Sequence, residues 1–354
     1  MKSLNNMLEE MVEKDGSDLH LSVGSPPRIR INGNLTPEGN EKITSDILYK
    51  LLENELTKER LDKLSNNQDI DFSIGIEGIS RFRVNIFKQR GNLAVTFRRL
   101  PYKIPTLESL NLPNTIGKLT LNKKGLILIT GGTGSGKSTT MAALIQKISN
   151  ESEGHIITIE DPIEYLYDHS KSLVNQREIG SDTKHFKSSL KSVLRQDPDV
   201  VAIGELRDVE SMNAALTIAE TGHLVLGTLH TNNAAGTITR LINAFPPEKQ
   251  DIIRTTLSLS LIGVISQQLI PDLNNKRSLA LEILINTPSI KSLIRENNIH
   301  QIENYLLSGA KDGMVRMDDS IMKLYKNNTI SKEDAINFSI NTSEIIQKIN
   351  SINI

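Results

Sequence analysis

The sequence predicts an α/β protein in which a buried, mostly parallel sheet flanked by helices follows a smaller α+β domain. Three observations point there. Four short runs rich in Ile, Val and Leu, at 126–129, 156–159, 200–203 and 224–226, are apolar on both faces and separated by helical stretches. That is the pattern of strands covered on both sides. A glycine-rich loop at 131–138 joins the first run to a helical stretch. Ahead of them, 81–86 and 93–98 alternate apolar with polar residues, as two arms of a hairpin do.

The chain has 354 residues, enough for two ordinary domains, and is 38% hydrophobic and 23% charged, a normal globular balance. Lys and Arg number 41 against 42 Asp and Glu, so the marked basic excess of a dedicated nucleic-acid binder is missing. The absence of cysteine excludes disulfides, thiolate zinc sites and cysteine nucleophiles, and fits the cytosol. The first 18 residues read as an acidic amphipathic helix, without the apolar core of a signal peptide. No window approaches the roughly 18 apolar residues of a membrane span. Work at a membrane would then proceed by docking.

In chain order, strands are expected at 18–21 and 28–31, punctuated by Pro26-Pro27, and helices at 45–56 and 58–64. The hairpin turns at Gln89-Arg90-Gly91-Asn92; Phe82, Val84, Ile86, Leu93, Val95 and Phe97 share one face, while Arg81, Arg83 and Arg98 lie on the other. These readings give an N-terminal domain over 1–99, a linker over 100–113 and a third part over 114–354. Prolines at 101, 105 and 113 and few apolar anchors make the linker a candidate hinge. From about Pro246 the chain reads as mainly helical, with one long segment over 249–269 and a further strand at 278–285.

Gly131-Gly132-Thr133-Gly134-Ser135-Gly136-Lys137-Ser138 fits the full spacing of the P-loop, and Thr139 continues it into the helix. Glycines let backbone N–H groups curl around phosphate oxygens while the helix presents its positive end. Lys137 is placed to reach the β- and γ-phosphates of ATP and Ser138 to ligate Mg²⁺. A ligand-free glycine turn has no use for the Lys-Ser pair. Phosphoryl chemistry also needs acids, and two sets end apolar runs: Glu160, Asp161 and Glu164, and then Glu205 after Gly204. That edge of an open α/β sheet is where ligands gather; without the loop, the first set would read equally well as a turn of solvated acids. His223 and His230 bracket the fourth run, as a γ-phosphate sensor or subunit-contact pair would. No third ligand nearby supports zinc. The arginine face is either a solvated sheet surface or a source of arginine fingers, each contributing about 10³- to 10⁵-fold in rate. Arg195 and Arg207 are further candidates.

Together these motifs resemble the PilT-type pilus retraction ATPases of the secretion ATPase superfamily, over nearly the whole chain. GGTGSGKST looks like their Walker A loop, IEDPIEY their acidic box, IGELRD their Walker B and TGHLVLGTLHT their histidine box. SDLHLSVGSPPRIRINGNL and LVNQREIG are similar to family segments too, and 289–296 resembles AIRNLIRE, with Ser289 and Lys291 replacing Ala and Arg. The resemblance implies a RecA-like P-loop NTPase core, a PAS-like N-terminal domain and a helical C-terminal region, assembled as a homo-hexamer. It makes Glu164 the general base and Glu205 the Walker B acid, supporting Mg²⁺ indirectly beside Ser138. It makes His223 and His230 links from nucleotide to subunit and neighbour, and places N-domain arginines near the nucleotide. Gly204 stands where P-loop enzymes usually carry a metal-supporting Asp.

The implied partner is an inner-membrane pilus platform protein, with the chain cytoplasmic and held peripherally at the membrane through the pilus machinery. ATP would hold the core against the N-terminal domain and hydrolysis would release it, turning a ring that withdraws pilin. A pilus assembly or type II secretion ATPase is the nearest rival, disfavoured by the missing tetracysteine insert and extra N-terminal domain. A nucleic-acid translocase would use Arg81-Phe82-Arg83 and Phe97-Arg98-Arg99, but the alternation buries both phenylalanines. A non-hydrolysing sensor has no need of Glu164 and Glu205.

Overall fold

A computed structural model describes residues 2–100, 103–274 and 276–352. Contacts divide them into two units: one comprises 1–104 with 161–166 and 178–182, the other 105–160, 167–177 and 183–354.

The first unit runs α1 (Leu4–Glu13), β1 (Asp18–Ser22), β2 (Arg28–Ile31), β3 (Asn34–Pro37), α2 (Ser45–Leu51), α3 (Lys58–Ser65), β4 (Ile70–Ile76), β5 (Ser80–Gln89) and β6 (Asn92–Leu100). Its six strands form an antiparallel sheet in the order β3-β2-β1-β6-β5-β4. Ser3, Thr44 and Thr57 cap the three helices, each hydroxyl accepting a backbone N–H of the first turn. In α1, Leu4, Met7, Leu8 and Met11 follow the helical period and are buried together. The β5–β6 hairpin turns through Arg90 and Gly91, both at positive φ (48° and 78°), the geometry of a two-residue turn matched to strand twist. Phe82, Val84, Ile86 and Phe97 are fully buried at the heart of this unit's core. Neither phenylalanine is available to stack on a base, which removes the main support for a translocase. Strands β3 and β4 were not among the expected elements, although Ile70, Phe72, Ile74 and Ile76 carry a period of two.

The second unit runs α4 (Asn114–Leu119), β7 (Gly125–Gly131), α5 (Lys137–Glu151), β8 (His155–Glu160), β9 (Leu173–Glu178), α6 (Phe186–Val193), β10 (Val200–Ile203), α7 (Val209–Glu220), β11 (Leu224–Leu229), α8 (Ala234–Asn243), α9 (Pro247–Ser260), β12 (Leu261–Pro271), β13 (Arg277–Ile285) and α10 (Pro288–Arg295). Four short helices close it, α11 (Ile302–Ser308), α12 (Met317–Lys326), α13 (Lys332–Asn337) and α14 (Thr342–Ile352). The sheet order is β13-β12-β7-β11-β10-β8-β9, with parallel pairing from β12 through β8 and β13 antiparallel at one edge. Every residue of β7, β10 and β11 is buried, so the four apolar runs form the parallel sheet read from their composition. A satellite core built from Met317, Ile321, Ile330, Ile345 and Ile349 packs the last helices against Ile270 and Ala280.

Two expectations are corrected. The long helical segment over 249–269 is two elements: α9 ends at Ser260 and Leu261 turns extended (ψ 132°) into β12. A short apolar run with Ile262, Val264, Ile265 and Ile270 suits a strand as well as a helix by periodicity. Its pairing with β7 and β13 decides, and Gly263 allows the close approach, since a Cβ there would lie 2.7 Å from the Leu284 carbonyl oxygen. The stretch 100–113 is also better anchored than its prolines suggested. Leu100 is buried at the end of β6, and Leu107 and Leu112 are buried in the main core of the second unit. Pro101, which contributed to that reading, lies outside the described residues. Among the described residues, no helix is long and apolar enough to cross a membrane.

Candidate nucleotide site

The glycine-rich loop leaves β7 at Gly131, where φ is 148° and a Cβ would stand 2.4 Å from both the Gln267 carbonyl oxygen and Ser135 Oγ. Gly134 and Gly136 hold φ of 75° and 90°, left-handed conformations that only glycine adopts without strain. Three of the motif's glycines are therefore demanded by the backbone path. Helix α5 begins at Lys137 with no side-chain cap, so its first N–H groups and its dipole face the loop. Ser138 and Thr139 occupy its first turn. The Ser135 hydroxyl is buried inside the loop with no hydrogen-bond partner. A concave run of N–H donors, an unsatisfied hydroxyl and a lysine at a helix N-terminus fit a polyphosphate.

Lys137 is buried, and its ammonium donates to the carbonyl oxygens of Gly131 (2.9 Å) and Gly132 (2.8 Å). His230, which follows the last residue of β11, brings Nδ1 to 3.5 Å from the same ammonium and Nε2 to 3.3 Å from Glu205 Oε1. Because Lys donates only, the tautomer carrying hydrogen on Nε2 satisfies both contacts. Glu205 also accepts from Arg207 Nε at 2.8 Å, which completes a chain from Lys137 through His230 and Glu205 to Arg207. Parallel registry of β10, β11 and β7 sets this arrangement, since all three strands end at one edge of the sheet. Gly204 is tightly enclosed: its N–H donates to the Ile159 carbonyl, and a Cβ would lie 3.3 Å from that oxygen and 3.4 Å from Glu160 Cα. The backbone of β8 therefore leaves little room for the Asp usual at this position. Glu160 is buried at the end of β8 and accepts from Thr158 Oγ1 (2.6 Å) and Gln176 Nε2 (3.2 Å).

Other candidates fall elsewhere. His223 precedes β11, at the opposite end of the strand from His230. Six residues at about 3.3 Å each separate the two ends. Its Nδ1 lies 3.1 Å from the Ile218 carbonyl and 3.2 Å from Thr221 Oγ1, at the end of α7. A direct nucleotide contact within this chain is excluded for His223, because parallel pairing carries it to the far edge. Glu164 groups with the first unit, as part of 161–166. On the first unit's sheet, Arg81 pairs with Glu178 (3.0 Å) and Arg98 with Asp18 (2.8 Å), while Arg83 lies 3.7 Å from Asp71. Burial is the largest influence on Asp18 and opposes ionisation, but the Arg98 and Ser17 bonds outweigh it and its pKa is lowered.

Two residues that the sequence reading missed support the loop and its surroundings. Gln267 of β12 is buried, donates to Thr140 Oγ1 at 3.0 Å and keeps its Oε1 unpartnered. Glu282 of β13 is buried and accepts the Ala234 N–H at 2.7 Å, at the start of α8; burial pushes its pKa up to about 7. Buried polar residues inside apolar runs were the available signal for both. Among the described residues, no cluster of three or more His, Asp or Glu could hold a metal. The donors fit Mg²⁺ in the manner usual with nucleotides, a hydroxyl shared with phosphate oxygens and water.

The model of the family described as type II/IV secretion system protein matches residues 1–347. The type IV pilus retraction ATPase PilT of Pseudomonas aeruginosa is 42% identical over 337 residues, covering 94% of this chain and 96% of that protein. The type IV pilus ATPase PilU of the same organism is 40% identical over 331 residues, with 93% and 87% covered. A crystal structure of the pilus retraction motor PilT with bound ADP superposes with a TM-score of 0.91 at 44% identity, covering 97% of this chain and 99% of that one.

Proposed function

The chain belongs to the type II/IV secretion system protein family, and from that premise we propose that it is an ATP-hydrolysing motor that powers retraction of type IV pili. The single observation that carries the catalytic part is the strand-edge chain of Lys137, His230 and Glu205 beside a glycine loop with a buried unsatisfied hydroxyl. Likeness along nearly the full length to the retraction ATPase supports the mechanical part.

Loop N–H groups and Lys137 take the β- and γ-phosphates of ATP. Ser138 would hold Mg²⁺ beside the phosphates, with Glu205 as its supporting acid. When bound, that ion spreads the charge that develops on the transferring phosphoryl group. Glu164 acts as general base, drawing a proton from the attacking water. His230 senses the γ-phosphate through Lys137: its Nε2–H is held by Glu205, so its Nδ1, an acceptor, loses its donor when the ammonium of Lys137 turns to phosphate. Arg83 and Arg98 supply positive charge to the nucleotide, and His223 works at a subunit contact. Six copies form a ring that acts on a platform protein in the inner membrane, with the motor held at the cytoplasmic face by that partner.

Lys137→Ala in purified protein should abolish ATP turnover, and deleting the gene should leave surface pili that extend and do not retract. Wild-type turnover in the Lys137 variant would end the ATPase reading. Pili lost altogether in the deletion strain would favour the assembly rival instead.

A further inference from the structure

The acidic segment that carries Glu164 is fastened by a carboxylate in the LVNQREIG stretch, a residue given no role above. Glu178, the last residue of β9, is 3% exposed. One of its oxygens, Oε2, accepts three donors of the same unit: Ser73 Oγ of β4, Arg81 Nη2 of β5 at 3.0 Å and the backbone N–H of Ile163 at 3.1 Å. Arg81 Nη2 also donates to the Ser73 hydroxyl. The Glu178 N–H donates in turn to Asp182 Oδ2 at 2.7 Å, which holds the carboxylate's own backbone. Ile163, with its side chain buried, directly precedes Glu164.

A buried carboxylate needs a counter-charge and several donors to stay ionised, and a buried guanidinium needs the reverse. Arg81 is thereby committed. Its side chain is 19% exposed, and Nε is buried without a partner. Leaving Glu178 to reach a phosphate would strand the buried carboxylate without its counter-charge. We infer that Glu178 and Arg81 are a positioning pair that fixes the backbone at Ile163 and so aims Glu164, and that Arg81 is not an arginine finger. This rests on Glu164 being the general base.

The test uses the whole chain, with ATP turnover and fluorescent ATP-analogue binding measured for Glu164→Gln, Glu178→Gln, Arg81→Ala, Arg81→Lys, Ser73→Ala, the Glu178→Gln/Arg81→Ala double variant, and Glu178→Gln and Arg81→Ala each placed in the Glu164→Gln background. A misplacement of about 1 Å in a catalytic group costs about 100-fold, so each single change at Glu178 or Arg81 should lower kcat about 10- to 100-fold. Analogue Kd should stay within about 2-fold, because ground-state binding is untouched. The double variant should be no slower than the worse single, Arg81→Lys should recover part of the loss, and both losses should vanish in the Glu164→Gln background. Ser73→Ala removes only one neutral donor and should give a smaller fall, about 3-fold, keeping the question open to test should Glu178→Gln fold poorly. Losses that multiply in the double variant, or persist once Glu164 is gone, would overturn the pairing and restore Arg81 as an independent catalytic group. Unchanged kcat in Glu178→Gln and Ser73→Ala would overturn it too. Full turnover in Glu164→Gln alone would instead remove the base assignment, and the inference with it.

Discussion

Replacing Glu282 by Gln should abolish a pH-dependent loss of stability in the second unit. Glu282 is 4% exposed. Burial raises its pKa from 4.5 to about 7, with Glu303 and Asp318 adding like charge, while the N–H groups of Ala234 and Met317 pull the other way. A folded pKa above the unfolded one means that, between those values, the folded chain binds the extra proton. Stability is then full below pH 4.5 and is lost as pH rises towards 7 and beyond. A tenfold change in proton affinity is worth about 1.4 kcal/mol, so a pKa raised from 4.5 to about 7 removes about 3 kcal/mol across that window. Gln has the same shape, accepts the same Ala234 N–H and does not titrate. Urea unfolding followed at pH 5, 6, 7 and 8 is the assay. Near pH 5 the two proteins should agree within about 1 kcal/mol, and by pH 8 the variant should be more stable by about 3 kcal/mol. Ala234 opens α8 just beyond His230, so the wild-type loss falls next to the nucleotide site. Parallel pH profiles for the two proteins would refute the reasoning, since they would mean that Glu282 carries the same proton folded and unfolded.

Gly131→Ala should bind nucleotide at least about 100-fold more weakly, because its Cβ would meet the Gln267 carbonyl and Ser135 Oγ and displace the loop; equilibrium binding of labelled ATP measures this. Leu107→Ala should cost about 2–5 kcal/mol in chemical unfolding, the range for a large core residue, whereas a free hinge would lose almost nothing there. Glu344 is held down to about 2 by hydrogen bonds from Arg316 and then Lys348. Its stabilisation is present above pH 4.5 and lost as pH falls towards 2, so Glu344→Gln should cost about 1 kcal/mol at pH 7, after solvent screening, and nothing at pH 2. A thermal-shift difference that fails to shrink on acidification would count against that pairing.

Much of this arrangement was legible because the signals were local. Three glycines at positive φ, a lysine opening a helix and apolar strand runs each depend on a few neighbouring residues, and each was read from them. The errors arose where local rules allow two answers. Leu261–Pro271 is apolar enough for either element, and only its two sheet neighbours make it a strand. The prolines near 100–113 describe backbone limits, but not that Leu107 and Leu112 find a core to enter. Arg81, Arg83 and Arg98 look equivalent along two alternating strands, yet Arg81 and Arg98 meet buried carboxylates, Glu178 and Asp18, while Arg83 stands 3.7 Å from the exposed Asp71.

By itself the sequence determined the chemistry available: a loop whose backbone needs glycine, a lysine and hydroxyls at a helix start, acids and a histidine at strand ends. Those follow from covalent spacing and backbone sterics, which act over a turn or a strand. Tertiary structure alone decided which of these groups work together. Parallel registry brings His230 to Lys137 and Glu205 and takes His223 to the far edge, while long-range burial turns Glu178, Gln267 and Glu282 from ordinary polar residues into supports. The physical reason is that strand pairing and desolvation join residues far apart in sequence, and no local pattern encodes their partners.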